Sequence, residues 1–233
     1  MIENQTDIWL ILIPDVIHRS HYYEQFMVNA EKEKADHFVF LKDKLRYVIT
    51  HGILRLLLSD YLNLPAGQIV LKNNSYGKPY LSTEDNPNPL YFNLSHSNSG
   101  VVLAFSKYRD LGIDLEYVKK DIPFLDIAKH FFSQSEYQEL LSTPENARHQ
   151  VFYQGWTRKE AFIKAKGRGL SIPLNSFDVS ISQGKWPSLL RSSEDPNDLV
   201  RWKFYDLITW PDYSSTLCIE GEQNQINYHH WGE

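Results

Sequence analysis

The first clear run in the chain is "DIWLILIP", residues 7–14, apolar almost throughout, rich in β-branched and aromatic residues, and closed by Pro14. That pattern predicts a strand. From about Ser20 to Leu62 the period changes. In "DKLRYVITHGILRLLLSDYL" apolar residues recur at three- and four-residue spacing, which predicts a helix with Asp43 as its N-cap. "GQIVLKNNSYGKPYL" reads as a strand, a turn and a short second run, and "NPNP" at 86–89 as a loop. "LYFNLSHSNSGVVLAFS" places two strand-like runs around the polar turn "SHSNSG", a hairpin pattern. "LGIDLEYV" predicts a further strand. "FLDIAKHFFSQSEYQELL" is helical with a break near Ser133, and a longer helix is expected from Glu145 to Lys166, stopping before Gly167. Gly155 inside it costs about 1 kcal/mol relative to alanine. From Phe177 onward strands and turns alternate.

The order is strand, helices, strands, and then the same again. It predicts an α+β chain of two similar α+β subdomains, 1–110 and 111–233, with no letter-by-letter repeat between them. A length of 233 residues is enough for a sizeable core. A net charge of −5 argues against a general nucleic-acid binder, which needs a broad basic surface, but leaves room for a small basic pocket. The single cysteine, Cys218, lies in the apolar run "STLCIE" and reads as a buried small hydrophobe. It permits no internal disulfide and no cysteine-based zinc site, and it fits a reducing compartment. No segment approaches the roughly 20 apolar residues of a membrane span, and no basic run precedes the first apolar stretch, so a soluble cytoplasmic protein is expected.

Chemistry concentrates in a few short stretches. On a strand, Asp114 and Glu116 of "GIDLEYV" point to one side while Leu115 points to the other. Two carboxylates on one face repel unless a cation or protons lie between them, and hard oxygen ligands suit Mg²⁺. The ordinary alternative is an exposed strand face with two solvated acids. In "GWTRKEAFIKAKGRG", residues 155–169, Trp156, Glu160 and Lys164 fall four apart and share one helix face. Glu160 is then a candidate third carboxylate, and Lys164 a candidate for neutralising a phosphate or protonating a leaving group. The ordinary alternative is a surface Glu–Lys pair. In "NLSHS", His96 is expected in a tight turn beside two serines, where hydroxyls, N–H groups and an imidazole can meet an anion. The other histidines show no comparable context. Lys78 sits in a "GKP" turn, and "AEKEKADHF" with "KDKLRYV" form a basic-leaning helical region that by default is a solvated face.

Taken in order, "YGKPYL", "FNLSHS", "GIDLEYV", "AKHFFSQSEYQEL" and "WTRKEAFIKAKGRGLSIPL" closely resemble the signature blocks of the 4′-phosphopantetheinyl transferases of the Sfp type. The resemblance runs from about Glu31 to Phe177. It implies two α+β subdomains related by pseudo-twofold symmetry, with the active site in the cleft between them. It also implies a reaction: Mg²⁺-dependent transfer of the phosphopantetheine arm of coenzyme A to a serine of an apo carrier protein, releasing adenosine 3′,5′-bisphosphate. The carriers would be those of fatty acid, polyketide or nonribosomal peptide synthases, and the enzyme a monomer. By position, Asp114, Glu116 and Glu160 match the metal-binding acids, and Glu160 also matches the general base. Lys164 matches the lysine at the pyrophosphate. Ser95, His96 and Lys78 match coenzyme A contacts, and Lys34, Arg46 and Arg55 match basic positions upstream. Trp156 and Lys159 complete the motif in structural roles, and Phe131 or Phe132 would lie beside the cleft where a carrier docks. Glu31 and Tyr47 depart from residues found in some relatives. Two rival readings are a metal-dependent nuclease, against which the Glu-x-x-x-Lys spacing and net acidity count, and a non-catalytic carrier-binding module, against which the complete acid set and Lys164 count.

Overall fold

The computed structural model describes residues 5–82, 86, 89–182, 184–222 and 225–232. Strand β1 (Gln5–Leu12) leads through two short helices, α1 (Ile13–Val16) and α2 (Ser20–Glu24), to α3 (Asn29–Asp36) and the long α4 (Leu41–Leu62). The helical stretch expected from Ser20 is thus broken into separate pieces. Helix α4 starts three residues earlier than expected, with Phe40 at the N-cap instead of Asp43. Asp43 lies in the first turn, where a carboxylate is favoured by the helix dipole, and bonds Arg46 at 2.7 Å. The helix stops at Asn63, whose φ of 54° is left-handed, a conformation asparagine tolerates.

A small hairpin follows, β2 (Leu71–Asn73) with β3 (Pro79–Leu81). Of the "NPNP" loop, Asn86 is described and bonds both the N–H and the carbonyl of Leu90, while residues 87 and 88 lie outside the described residues. Then come β4 (Leu90–Ser97), β5 (Gly100–Lys107) and β6 (Leu111–Tyr117). The second half continues with α5 (Phe124–Phe131), α6 (Gln134–Ser142) and α7 (Glu145–Ala165). The break between α5 and α6 falls at Ser133, whose hydroxyl caps Glu136 N–H while the Glu136 carboxylate accepts from Ser133 N–H. Strands β7 (Phe177–Val179) and β8 (Leu189–Ser192), helix α8 (Asp198–Arg201), and β9 (Trp202–Asp206), β10 (Tyr213–Glu220) and β11 (Gln225–His230) complete the chain.

Two main sheets result, ordered β11-β1-β5-β4 and β6-β10-β9. The passage between them falls at Asp110, but β11 returns to pair in parallel with β1. Residues 225–230 therefore belong with the first sheet, which a division of the chain at residue 110 does not capture. Strict alternation explains the cores. On β1 and β5, Ile11, Val101, Leu103 and Phe105 pack under Ile49, Ile53 and Leu57 of α4. Ile8, Leu10, Val102 and Ala104 face the other way and meet Ile113, Leu115 and Leu217 of the second sheet. Helix α7 covers the far side of that sheet, with Phe162 and Ala161 clustered around Cys218. Each half is thus a long helix on a sheet, and the two halves share an apolar layer.

The halves also meet edge to edge. The Asn93 side chain accepts from Ile113 N–H at 2.9 Å, and the Ser97 hydroxyl accepts from Tyr117 N–H at 3.0 Å. Side chains of β4 thus stand in for a backbone ladder to β6, a seam that opens where the sequence places its acids. Among the described residues, no helix is long and apolar enough to cross a membrane.

Candidate active site

Strand β6 commits Ile113 and Leu115 to the shared core, so the period of two turns Asp114 and Glu116 toward α7. The approach of α7 is backbone to backbone: a Cβ on Gly112 would lie 2.2 Å from both Ala161 O and Ala165 N. Glycine is required there, and it brings the partly exposed face of α7, carrying Trp156, Glu160 and Lys164, against the acids. Lys164 Nζ lies 2.6 Å from Asp114 Oδ1 and 2.9 Å from Ser95 Oγ. Ser95 itself donates to Asp114 Oδ1 at 3.0 Å, and Ser97 donates to Glu116 Oε2 at 2.8 Å. Asp114 Oδ2 is buried and has no hydrogen-bond partner.

Ser95, Asp114, Glu116 and Lys164, with His96, Glu160 and Trp156, line a cavity of about 290 Å³. Burial first, then the negative charge of Asp114, lifts the Glu160 carboxyl to about 7, against the pull of Lys164. Glu116 is raised for the same two reasons in the same order. Burial, followed by the charge of Arg46, lowers His96 and favours its neutral form. His96 belongs to β4, paired with Val101, so it is not a turn residue as expected. The turn is only Asn98 and Ser99, with Asn98 at φ 51°.

A larger cavity of about 580 Å³ adjoins this one and shares Leu94 and Lys164 with it. Lys34, Tyr47, His51, Arg55, Lys78 and Gly167 are on its walls. Lys34 Nζ lies 5.3 Å from the centre of the Tyr47 ring. Arg55 is buried and spends its guanidinium on Glu31 (2.6 Å) and the carbonyls of Ala66 and Ile69. Lys78 directs its ammonium to Asp110, Leu111 O and Ala165 O, so only its stem is left for the cavity. Arg46 pairs with Asp43 and lines neither cavity. Six expected residues thus converge at the acids (Ser95, His96, Asp114, Glu116, Glu160 and Lys164), three line the neighbouring cavity (Lys34, Arg55 and Lys78), and Arg46, near enough to act on His96 by its charge, lines neither cavity.

Sequence reasoning missed His51, whose ring packs tilted against Tyr47 with ring centres 4.0 Å apart. The signal was present, since Tyr47, His51 and Arg55 are spaced by four on α4 and must share a face. Glu31, noted only as a departure, is the partner of Arg55. Burial would raise its carboxyl, but His51 and Arg55 outweigh that and bring it to about 2.

Among the described residues, no three acid, histidine or cysteine side chains converge as a preformed metal cluster. Glu116 is turned to Ser97, and the Lys164 ammonium covers one oxygen of Asp114. The donor set nevertheless fits Mg²⁺, which takes one or two carboxylates and completes its shell with water and phosphate oxygens. The buried, unpartnered Asp114 Oδ2 and the raised Glu116 and Glu160 mark a site with negative charge to be neutralised.

Both halves of this arrangement match known families. The model for the 4′-phosphopantetheinyl transferase superfamily matches residues 110–218, and the model for the N-terminal part of 4′-phosphopantetheinyl transferases matches residues 18–108. The chain belongs to the 4′-phosphopantetheinyl transferases. Among its relatives, the gsp transferase of Aneurinibacillus migulanus is 34% identical over 80% of this chain and 76% of its own. The Sfp transferase of Bacillus subtilis (strain 168) is 34% identical over 84% of this chain and 83% of its own. The HetI transferase of Nostoc sp. is 27% identical over 99% of this chain and 94% of its own. Within the family, the chain is therefore of the Sfp type.

Proposed function

We propose that the protein moves the 4′-phosphopantetheine arm of coenzyme A to a serine of an apo acyl or peptidyl carrier protein, with Mg²⁺, and releases adenosine 3′,5′-bisphosphate. One observation carries this reading: Lys164 belongs both to the acid cluster and to the wall of the basic, aromatic cavity beside it. A nucleotide lying in the larger cavity would present its pyrophosphate at Lys164, next to the carboxylates. The carriers would be those of fatty acid, polyketide or nonribosomal peptide synthases. A monomer is expected, because both halves of the cleft come from one chain. The lone buried Cys218 fits a cytoplasmic setting.

The chemistry follows from the groups present. The carrier serine attacks the β-phosphorus of coenzyme A, a new P–O bond forms, and the P–O bond to the adenosine bisphosphate breaks. Glu160, with a carboxyl near 7, is poised to accept the serine proton at physiological pH. Lys164 supplies a positive charge and donors to the departing phosphate, and Ser95 and Asp114 hold its ammonium in place. Asp114, Glu116 and Glu160 would hold Mg²⁺, which supplies charge neutralisation at the pyrophosphate. The test is to incubate the protein with coenzyme A, Mg²⁺ and a panel of apo carriers and weigh the carriers. Gain of one arm on at least one carrier is expected. A panel that stays entirely apo, while a known family member modifies it, would contradict the reading.

A further inference from the structure

Lys78 sits on the β2–β3 hairpin of the first half, yet each partner of its ammonium lies at or beyond the junction of the halves. It donates to Asp110 Oδ1 at 3.2 Å, to Leu111 O at 2.9 Å and to Ala165 O at 3.1 Å. An ammonium has three protons, and these three contacts use them all. Leu111 opens β6, three residues before Asp114, and Ala165 closes α7, one residue after Lys164. Lys78 therefore touches the ends of both elements that carry the reacting groups.

The end of α7 needs such a partner. The last carbonyls of a helix have no intrahelical donor, and a cation there is favoured by the helix dipole. The carbonyls of Phe162, Ile163 and Lys164 are met from within the chain's own turn, by the N–H groups of Lys166, Arg168 and Gly167. Ala165 O is met by Lys78, and Gly167 O by the Asn74 amide at 2.6 Å. Asn74 in turn accepts from Tyr76 N–H and Lys78 N–H, each at 2.9 Å, which fixes the hairpin turn that presents Lys78. Gly167, at φ +67°, leaves so little room that a Cβ would come within 3.1 Å of Asn74 and 3.2 Å of Lys78.

We propose that Lys78 is a positioning residue: it joins the hairpin to the ends of β6 and α7 and so holds Lys164 in register with Asp114 and Ser95, and its ammonium does not bind the phosphates of coenzyme A. The joint acts on alignment, and a misplacement of about 1 Å at a reacting group can cost on the order of a hundredfold in rate.

The test rests on the transferase reading above and is built to fail separately from it. Lys78→Met keeps the stem and removes the ammonium. With wild-type protein active on coenzyme A and an apo carrier, the variant should lose about ten- to a hundredfold in kcat, with KM for coenzyme A within about threefold. Gly167→Ala strains the same joint from its other side and should show the same split. Lys78→Arg should recover part of the rate. A rise in KM with kcat kept, by contrast, would make Lys78 a substrate ligand. A folded variant with unchanged kcat and KM would make it a structural contact only. Hydrogen exchange supplies a readout independent of activity. In Lys78→Met the amides of Gly167 and Arg168 should exchange at least about tenfold faster while those in the middle of α7 do not change. Unaltered protection at the α7 end overturns the proposal even if the protein proves to have another substrate.

Discussion

Replacing Glu160 with glutamine separates catalysis from stability in opposite directions. The carboxyl is raised from the ordinary 4.5 to about 7, first by burial and then by Asp114. The folded state therefore holds this proton more tightly than the unfolded chain does. Stability falls as pH rises from about 4.5 to about 7, because the folded protein must carry an ionised carboxylate it disfavours. A shift of that size corresponds to roughly 3 kcal/mol as an upper figure. Glutamine cannot ionise, so Glu160→Gln should match wild type in stability below about pH 4.5 and exceed it above about pH 7, in metal-free buffer. The same change removes the base, and kcat should fall by at least roughly a hundredfold. Because Mg²⁺ at the acids favours the charged carboxylate, wild-type kcat should rise to a plateau through a step below pH 7, and the residual rate of the variant should lack that step. Thermal melts across pH in chelator, beside initial rates on an apo carrier, read both effects. A variant within threefold of wild-type kcat, or a stability difference that is flat from pH 4 to 8, would refute the reasoning. Adding Mg²⁺ should narrow the stability gap, because a cation at the acids favours the charged form of Glu160.

Asp114→Ala or Glu116→Ala should abolish transfer with far-UV circular dichroism unchanged, since each removes an oxygen donor facing α7; near-normal turnover by both would exclude the metal role. Lys34→Ala should raise KM for coenzyme A roughly 10- to 150-fold with kcat nearly kept, the loss of one charged hydrogen bond to phosphate. Wild type and variant should then agree on 3′-dephospho-coenzyme A, and an equal loss on both substrates would show that Lys34 does not read that phosphate. Arg46→Ala should have the smaller effect, because Arg46 is already paired with Asp43. Phe131 is 44% exposed and stands edge-on to Trp156 at 5.7 Å, whereas Phe132 is buried. Phe131→Ala should therefore raise KM for the carrier and spare that for coenzyme A, and an unchanged carrier KM would place docking elsewhere.

Much of the site could be read in the sequence, because it depends on spacing within single elements. Asp114 and Glu116 share a strand face, and Trp156, Glu160 and Lys164 share a helix face, by local geometry alone. The break at Ser133 was equally local, a capping box written in "SQSE". What stayed hidden depends on partners distant in the chain. The side-chain seam from β4 to β6 joins residues about twenty apart, and neither asparagine nor serine advertises that role. The ammonium of Lys78 looked available for a ligand until the α7 end was brought to it across 87 positions. Arg55 matches a basic position of the coenzyme A site by resemblance, but burial beside Glu31 commits it to the protein. The return of β11 to β1 joins segments 220 residues apart, and no periodicity within β11 reveals which edge it pairs with. Helix starts were also misjudged, because Asp43 can serve either as a cap or as a first-turn acid, and only the backbone angle of Phe40 decides between them.

The central claim is that one cleft couples serine attack to loss of the adenosine bisphosphate. Its most direct test is to quantify, in the same samples over time, arm-bearing carrier and free adenosine 3′,5′-bisphosphate by mass spectrometry, with wild type and Glu160→Gln side by side. Equal molar amounts of both products are predicted at every time point, with both slowed together in the variant. Nucleotide released without modified carrier would mean that water, not the carrier serine, is the acceptor, and would contradict the account.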